Sequence, residues 1–176
     1  MEFSRLIYLI GLPGSGKSSV GKVLSSKLDC DFIDLDEWIE KNEKTSIKEI
    51  FAVKGENYFR DLETHALEIL SDKFVTGTVI STGGGTPCYN DNIRLLKSTG
   101  LLVYLKTDID VLVKRIESNL TEKDNRPLFN AVDIESKYKA LLRDRSSYYE
   151  NAHLIVDTGR LTEIEIADLI LSEIRQ

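Results

Sequence analysis

The sequence contains no long apolar run. Its first hydrophobic stretch, Leu6-Ile7-Tyr8-Leu9-Ile10, falls far short of the about 20 residues a membrane-crossing helix needs, and no small-residue cleavage pattern follows it. Neither a membrane anchor nor an export signal is expected, and the protein reads as soluble and cytoplasmic. An excess of positive charge is also missing. Lys and Arg number 23 against 29 Asp and Glu, a formal charge of −6, which argues against nucleic acid or an anionic membrane as main partner. An anionic small molecule must then be held by a few local cations. Cysteine is scarce, and Cys30 and Cys88 lack metal-ligand spacing, so both read as buried thiols in a reducing compartment. The only histidines, His65 and His153, are far apart and belong to no partner motif, which favours structural roles. There is no internal repeat and no low-complexity tract.

What is present is an alternation of short apolar strands and helical patterns over 176 residues, the length of a single domain. Strands are expected at 5–10, 31–33, 78–80, 101–105 and 154–156. Helices are expected near 17–28, 35–42, 46–53, 58–72, 91–97, 108–117, 133–150 and 161–174. This order indicates an α/β domain with a mainly parallel sheet covered on both faces, and ligands at the carboxyl ends of the strands. One polar stretch, "ESNLTEKDNRPLFNAVD" at 117–133, breaks the rhythm and reads as a connector or a functional lid.

The stretch "GLPGSGKS" at 11–18 fits G-x-x-x-x-G-K-[ST] through Gly11, Gly16, Lys17 and Ser18. A buried strand precedes it and an amphipathic helix follows, with Val20, Val23, Leu24 and Leu28 on one face. Strand, glycine loop and helix together aim backbone N–H groups and the positive helix end at one anion, so nucleotide phosphate binding is expected. Strand two ends in "FIDLDEW". Asp34 and Asp36 lie at i and i+2, which in an extended stretch puts both carboxylates on one side, as phosphoryl transfer near a divalent cation requires. The plain alternative makes Asp36 a helix N-cap. "STGGGTP" at 81–87 follows strand three, and three glycines there allow unusual dihedrals and close ligand approach. Arg60 in "GENYFRDLE" taken alone is a solvated cation. Arg143 and Arg145 point differently on their helix, so at most one faces a site. Trp38, Tyr148 and Tyr149 read as packing residues.

Taken together, these segments resemble the shikimate kinase family, in the nucleoside-monophosphate-kinase-like branch of P-loop proteins. The likeness runs from Leu6 to about Asp157 and rests on GLPGSGKS, FIDLD, F…GENYFR, STGGG, NRPLF and R-x-x-Y-Y. It implies a three-layer sandwich on a five-stranded parallel sheet with a lid, the P-loop NTPase fold of the nucleoside monophosphate kinase type. It also implies ATP-dependent phosphorylation of the 3-hydroxyl of shikimate, a step toward chorismate and the aromatic amino acids, by a monomer using Mg²⁺. The phosphate loop would be 11–18, the substrate-binding segment about 35–63 and the lid about 119–131. By the same resemblance Gly14, Ser15, Gly16, Lys17, Ser18 and Ser19 hold ATP, and Ser18 and Asp34 serve Mg²⁺. Asp36 meets the shikimate hydroxyls. Arg60 and Arg145 hold its carboxylate beside Gly83, Gly84 and Gly85, while Phe51, Phe59 and Glu63 form the pocket wall. Arg126 reaches the phosphates from the lid, making Lys17, Asp36 and Arg126 the catalytic set. The lid begins Asn119-Leu120-Thr121 where many members carry an additional arginine, and Arg160 in "DTGRL" stands in as the adenine contact. A gluconate- or nucleotide-type kinase shares the phosphate loop but not the carboxylate-holding pair. A catalytically silent paralogue has no reason to keep Lys17, Ser18, Asp34, Asp36 and Arg126.

Overall fold

Side chains of the first strand, β1 (Leu6–Ile10), alternate between two cores, which is why all five are buried. Leu6, Tyr8 and Ile10 belong to one cluster, Ile7 and Leu9 to the other. A strand with both faces covered needs no polar alternation, and this one has none. A computed structural model describes residues 6–73, 77–123 and 131–174. In it β1 is joined by β2 (Asp31–Asp34), β3 (Thr78–Ser81), β4 (Gly100–Lys106) and β5 (Leu154–Asp157) in one parallel sheet of order β2-β3-β1-β4-β5.

The helices are α1 (Lys17–Leu28), α2 (Leu35–Glu43), α3 (Ile47–Lys73), α4 (Asn92–Thr99), α5 (Ile109–Lys123), α6 (Ala131–Tyr149) and α7 (Glu163–Ile174). Val20 and Leu24 of α1 with Ile166, Ala167, Ile170 and Leu171 of α7 cover one face of the sheet. The remaining helices cover the other, through Ile39, Leu67, Leu96, Leu112 and Tyr138 among others. The chain leaves β1 toward β2 but leaves β3 toward β4, in opposite directions across the sheet. That reversal opens a crevice at the carboxyl ends of β1 and β3. Among the described residues no helix is long and apolar enough to cross a membrane.

The expected strands and helices are all found, with three differences. The patterns at 46–53 and 58–72 form one helix, α3, broken at Gly55, where φ is 82° and ψ 175°. The helix expected to stop at 117 continues to Lys123, and α6 begins at Ala131, so both ends of the polar stretch 117–133 are helical. Its centre, with Arg126, lies outside the described residues. Finally, Cys30 and Cys88 are unpaired as expected but only half-buried.

Gly100 opens β4 directly opposite Leu6. Its φ of −164° is ordinary extended backbone. The constraint is spatial, because a Cβ there would sit 2.5 Å from the Leu6 carbonyl oxygen and 2.8 Å from the Tyr8 ring. A backbone carbonyl inside a sheet cannot step aside. Gly100→Ala is therefore expected to cost about 1–3 kcal/mol, the range for overpacking. Urea unfolding checks this, and a midpoint within error of the parent would refute it.

Candidate active site

The loop between β1 and α1 turns through three glycines in conformations that other residues avoid, with φ of 148° at Gly11, 77° at Gly14 and 89° at Gly16. At Gly11 a Cβ would also meet the Leu105 carbonyl oxygen at 2.7 Å. The curled loop turns two carbonyls inward, and Lys17 Nζ donates to those of Gly11 and Leu12, each at 3.0 Å. Lys17 is thereby buried. Burial pulls its ammonium down to about 8 and Arg145 adds to the effect, while Asp36 and Asp34 oppose it. Gly14, Gly16, Lys17, Ser18 and Ser19 border a cleft of about 500 Å³ at the carboxyl end of the sheet. Ser15 is buried inside the loop and its N–H closes the turn on Leu12.

Asp34 and Asp36 both reach this cleft, by different routes from those expected. Asp34 ends β2 and caps α2, accepting from the N–H groups of Asp36 and Glu37 at 3.1 and 3.4 Å. The N-cap is thus Asp34, and Asp36 lies in the first helical turn. The two carboxylates converge because the chain turns from strand to helix between them. Asp34 also accepts from the Ser18 hydroxyl at 2.6 Å, and Ser18 lies 3.2 Å from the Ser81 hydroxyl. Asp36 has a buried carboxylate oxygen, Oδ1, with no hydrogen-bond partner among the described residues.

The glycine triplet after β3 is required for space alone, since none of Gly83, Gly84 and Gly85 has a positive φ. A Cβ on Gly83 would meet Glu63 at 2.9 Å and Asp36 at 3.3 Å. One on Gly84 would meet the Arg145 guanidinium at 3.2 Å, and one on Gly85 the Arg60 guanidinium at 2.9 Å. Acid, cation and cation thus stand over consecutive residues of one backbone. Arg60 and Arg145, 85 positions apart in the sequence, are brought to adjacent glycines. Arg143 points outward, 78% exposed, so only one arginine of that pair faces the site.

Arg60 is itself held in place. Nη1 donates to Glu63 at 2.7 Å, while Nε and Nη2 donate to Glu56 at 3.2 and 2.8 Å. Glu63 is fully buried and also accepts from the Thr86 hydroxyl. Phe51 and Phe59 stack with ring centres 4.9 Å apart, Phe59 buried and Phe51 38% exposed. Arg160 is exposed on the loop after β5 and does not border the cleft, whereas Glu163 beyond it does.

Three contributors escaped the sequence reading. Arg115 borders the cleft and donates to the Gly14 carbonyl at 3.0 Å. It lies on α5 within the span expected to be helical, and only the packing of that helix beside the phosphate loop brings it to the cleft. Tyr138 and Tyr149 of α6 hold the two loops, donating to the Pro13 carbonyl at 3.0 Å and the Gly84 carbonyl at 2.5 Å. Tyr149 is a packing residue as expected, but its hydroxyl is tied to the site. His153 is structural, its Nδ1 accepting from the Leu102 N–H at 3.0 Å. His65 is exposed on α3.

A family model described as shikimate kinase matches residues 13–175. A shikimate kinase of Thermodesulfovibrio yellowstonii is 39% identical over 167 residues, 95% of this chain and 93% of that protein. One of Clostridium botulinum (strain Okra) is 47% identical over 154 residues, 85% of each. Among solved structures, a shikimate kinase from Acinetobacter baumannii in complex with shikimate superposes with a TM-score of 0.85. It is 34% identical, and the match covers 98% of this chain and 94% of that one.

The Asp36 carboxyl is pushed up to about 6, first by burial and then by the Asp34 and Glu63 carboxylates, against the pull of Lys17. A carboxyl raised on folding favours its protonated form in the native state. Its ionisation therefore removes stability as the pH rises from about 4 to about 6, and that loss persists above it. Asp36→Asn is expected to melt higher than the parent at pH 7.5, with a gap that closes as the pH falls toward about 4. Thermal melts across that range check the sign, and a variant that melts no higher at pH 7.5 contradicts it.

Proposed function

The chain belongs to the shikimate kinase family and phosphorylates shikimate at the expense of ATP, a step of aromatic amino acid biosynthesis; from that premise we propose which of its residues carry the reaction. The observation that supports the assignment best is the run of Asp36 with Glu63, Arg145 and Arg60 over Gly83, Gly84 and Gly85. A ring bearing a carboxylate at one end and hydroxyls at the other matches it in charge. Arg60 and Arg145 take the carboxylate, because a guanidinium meets a carboxylate in two-pronged geometry. Asp36 takes the hydroxyl end, and Phe51 and Phe59 close the wall.

On the nucleotide side the N–H groups of the loop 11–18 and Lys17 receive the phosphates, Arg115 stands beside the loop, Arg126 is contributed by the lid segment and Arg160 serves the base. Ser18 and Asp34 offer hard oxygen donors to Mg²⁺. Among the described residues no cluster of three His, Cys, Asp or Glu could hold a metal. That sparse donor set fits an ion that keeps waters and phosphate oxygens in its shell. When bound, Mg²⁺ neutralises charge on the β- and γ-phosphates. The 3-hydroxyl of shikimate attacks the γ-phosphorus in line, the bond to the bridging oxygen breaks, ADP leaves, and Asp36 accepts the hydroxyl proton. Lys17, Arg126 and the loop N–H groups spread the charge of the transition state. The segment 119–131 serves as a lid that excludes water. The proposal extends to a monomeric, single-domain enzyme of the cytoplasm with no nucleic-acid partner. The charge of −6 and two unpaired cysteines support it.

The reading is tested by ADP release with shikimate, gluconate and nucleoside monophosphates as acceptors, of which only shikimate is expected to support turnover. Arg60→Ala and Arg145→Ala are each expected to weaken shikimate binding about 30-fold to several thousandfold, the effect of unpairing a buried charge. MgATP affinity should change by less than about threefold, the remote-site range. Calorimetry with each ligand decides, and unchanged shikimate affinity in both variants removes the carboxylate clamp.

Protonation gives a separate test. Asp36 acts ionised and Lys17 acts protonated, with values of about 6 and about 8 in the free protein. The pH profile of kcat/KM is therefore expected to rise through about 6 and fall above about 8. Asp36→Asn should lose the acidic limb together with most of the turnover. An acidic limb that survives in Asp36→Asn assigns the proton acceptor elsewhere.

A further inference from the structure

Arg60 is girdled on its edges by Glu63 and Glu56, but edge bonds alone leave a guanidinium free to rock about its long axis. Two rings address its face, Phe59 with its centre 5.4 Å from the guanidinium carbon and, closer, Tyr89. The guanidinium carbon lies 4.3 Å from the centre of the Tyr89 ring. The Tyr89 hydroxyl donates to Glu56 Oε1 at 3.3 Å, the same oxygen that accepts from Arg60 Nε and Nη2. Arg60 is only 12% exposed, so the contact with the ring is largely shielded from water.

The backbone that presents Tyr89 is built with effort. Asn90 and Asp91 follow it with φ of 49° and 57°, two successive left-handed residues that are not glycine. Such conformations persist only where the surroundings insist on them. Here Asn90 Nδ2 donates to Asp61 and Thr64 of α3, both at 3.1 Å, and the Asn92 N–H donates back to the Tyr89 carbonyl at 2.9 Å. The loop is thus pinned to the very turn of α3 that carries Arg60.

We propose that Tyr89 is a positioning residue for acceptor recognition, whose ring sets the plane of the Arg60 guanidinium beside Gly85. Glu56 and Glu63 engage one N–H on each of the three guanidinium nitrogens. Each terminal nitrogen has a second N–H beyond these bonds, and that pair is what a substrate carboxylate takes end-on. With edges and face both engaged, the pair is held in one orientation before the substrate arrives. The inference rests on the carboxylate clamp proposed above.

Tyr89→Leu and Tyr89→Gln keep bulk and remove the π face at a site 38% exposed, where either side chain is compatible with folding. Each is expected to raise the KM for shikimate about tenfold, the scale of a desolvated cation–π contact, with kcat and the KM for ATP within about twofold. Tyr89→Phe restores the ring and should hold the shikimate KM within about threefold of the parent, since only the hydroxyl bond to Glu56 is lost. In an Arg60→Ala background Tyr89→Leu should add nothing, because residues that act through one another are not additive. An unchanged shikimate KM in Tyr89→Leu overturns the proposal. So does an equal rise in both KM values, or a tenfold effect that persists without Arg60. If Arg60→Ala itself leaves shikimate affinity intact, the clamp and this inference fail together. A working clamp with an unresponsive Tyr89 sinks the inference alone.

Discussion

The hydroxyl of Ser18 joins three strand ends that nothing else ties together so directly. It belongs to the helix after β1, it donates to Asp34 at the end of β2, and it meets Ser81 at the end of β3. Asp34 passes the constraint on, since its other oxygen accepts from the first N–H groups of α2. The position of Asp36 therefore depends on a bond made by the phosphate loop. Nucleotide and acceptor sides of the cleft share one short polar chain, and rotating any member displaces the others.

The same cleft resolves an electrostatic conflict. An acidic chain must bind anions, and it does so by setting cations among carboxylates rather than collecting them in a patch. Lys17 is drawn down while Asp36 is drawn up, although each charge favours ionisation of the other. Burial outweighs the mutual attraction in both directions. The outcome is two groups with values of about 8 and about 6, so that near neutral pH each is largely in its working state and each can exchange a proton at modest cost.

Strands, helices and the phosphate loop were legible because their signals are local: apolar runs, the 3.6-residue period, and glycines where φ must be positive. What sequence could not give was convergence. The i and i+2 spacing of Asp34 and Asp36 reached the right cleft by wrong geometry, because the backbone changes from strand to helix within three residues. Arg60 alone reads as a solvated cation, and only the fold sets it over Gly85. Arg115 was missed although its helix was expected, because its contact is with the Gly14 carbonyl 101 positions away and no local motif marks it. Tyr138 and Tyr149 act through hydroxyls on carbonyls of distant loops, a contact with no sequence period to betray it.

The glycine triplet has a bearing on how such a pocket can evolve. Every one of its three positions is filled, where a Cβ would stand, by a side chain of the opposite wall. The triplet itself therefore offers no adjustable contact, and a side chain added there subtracts from the pocket. Drift toward a different acceptor then runs through the side chains around the triplet, among them Asp36, Arg60 and Arg145 of α2, α3 and α6. Backbone forms one half of this pocket, and the side chains around it are what mutation can retune.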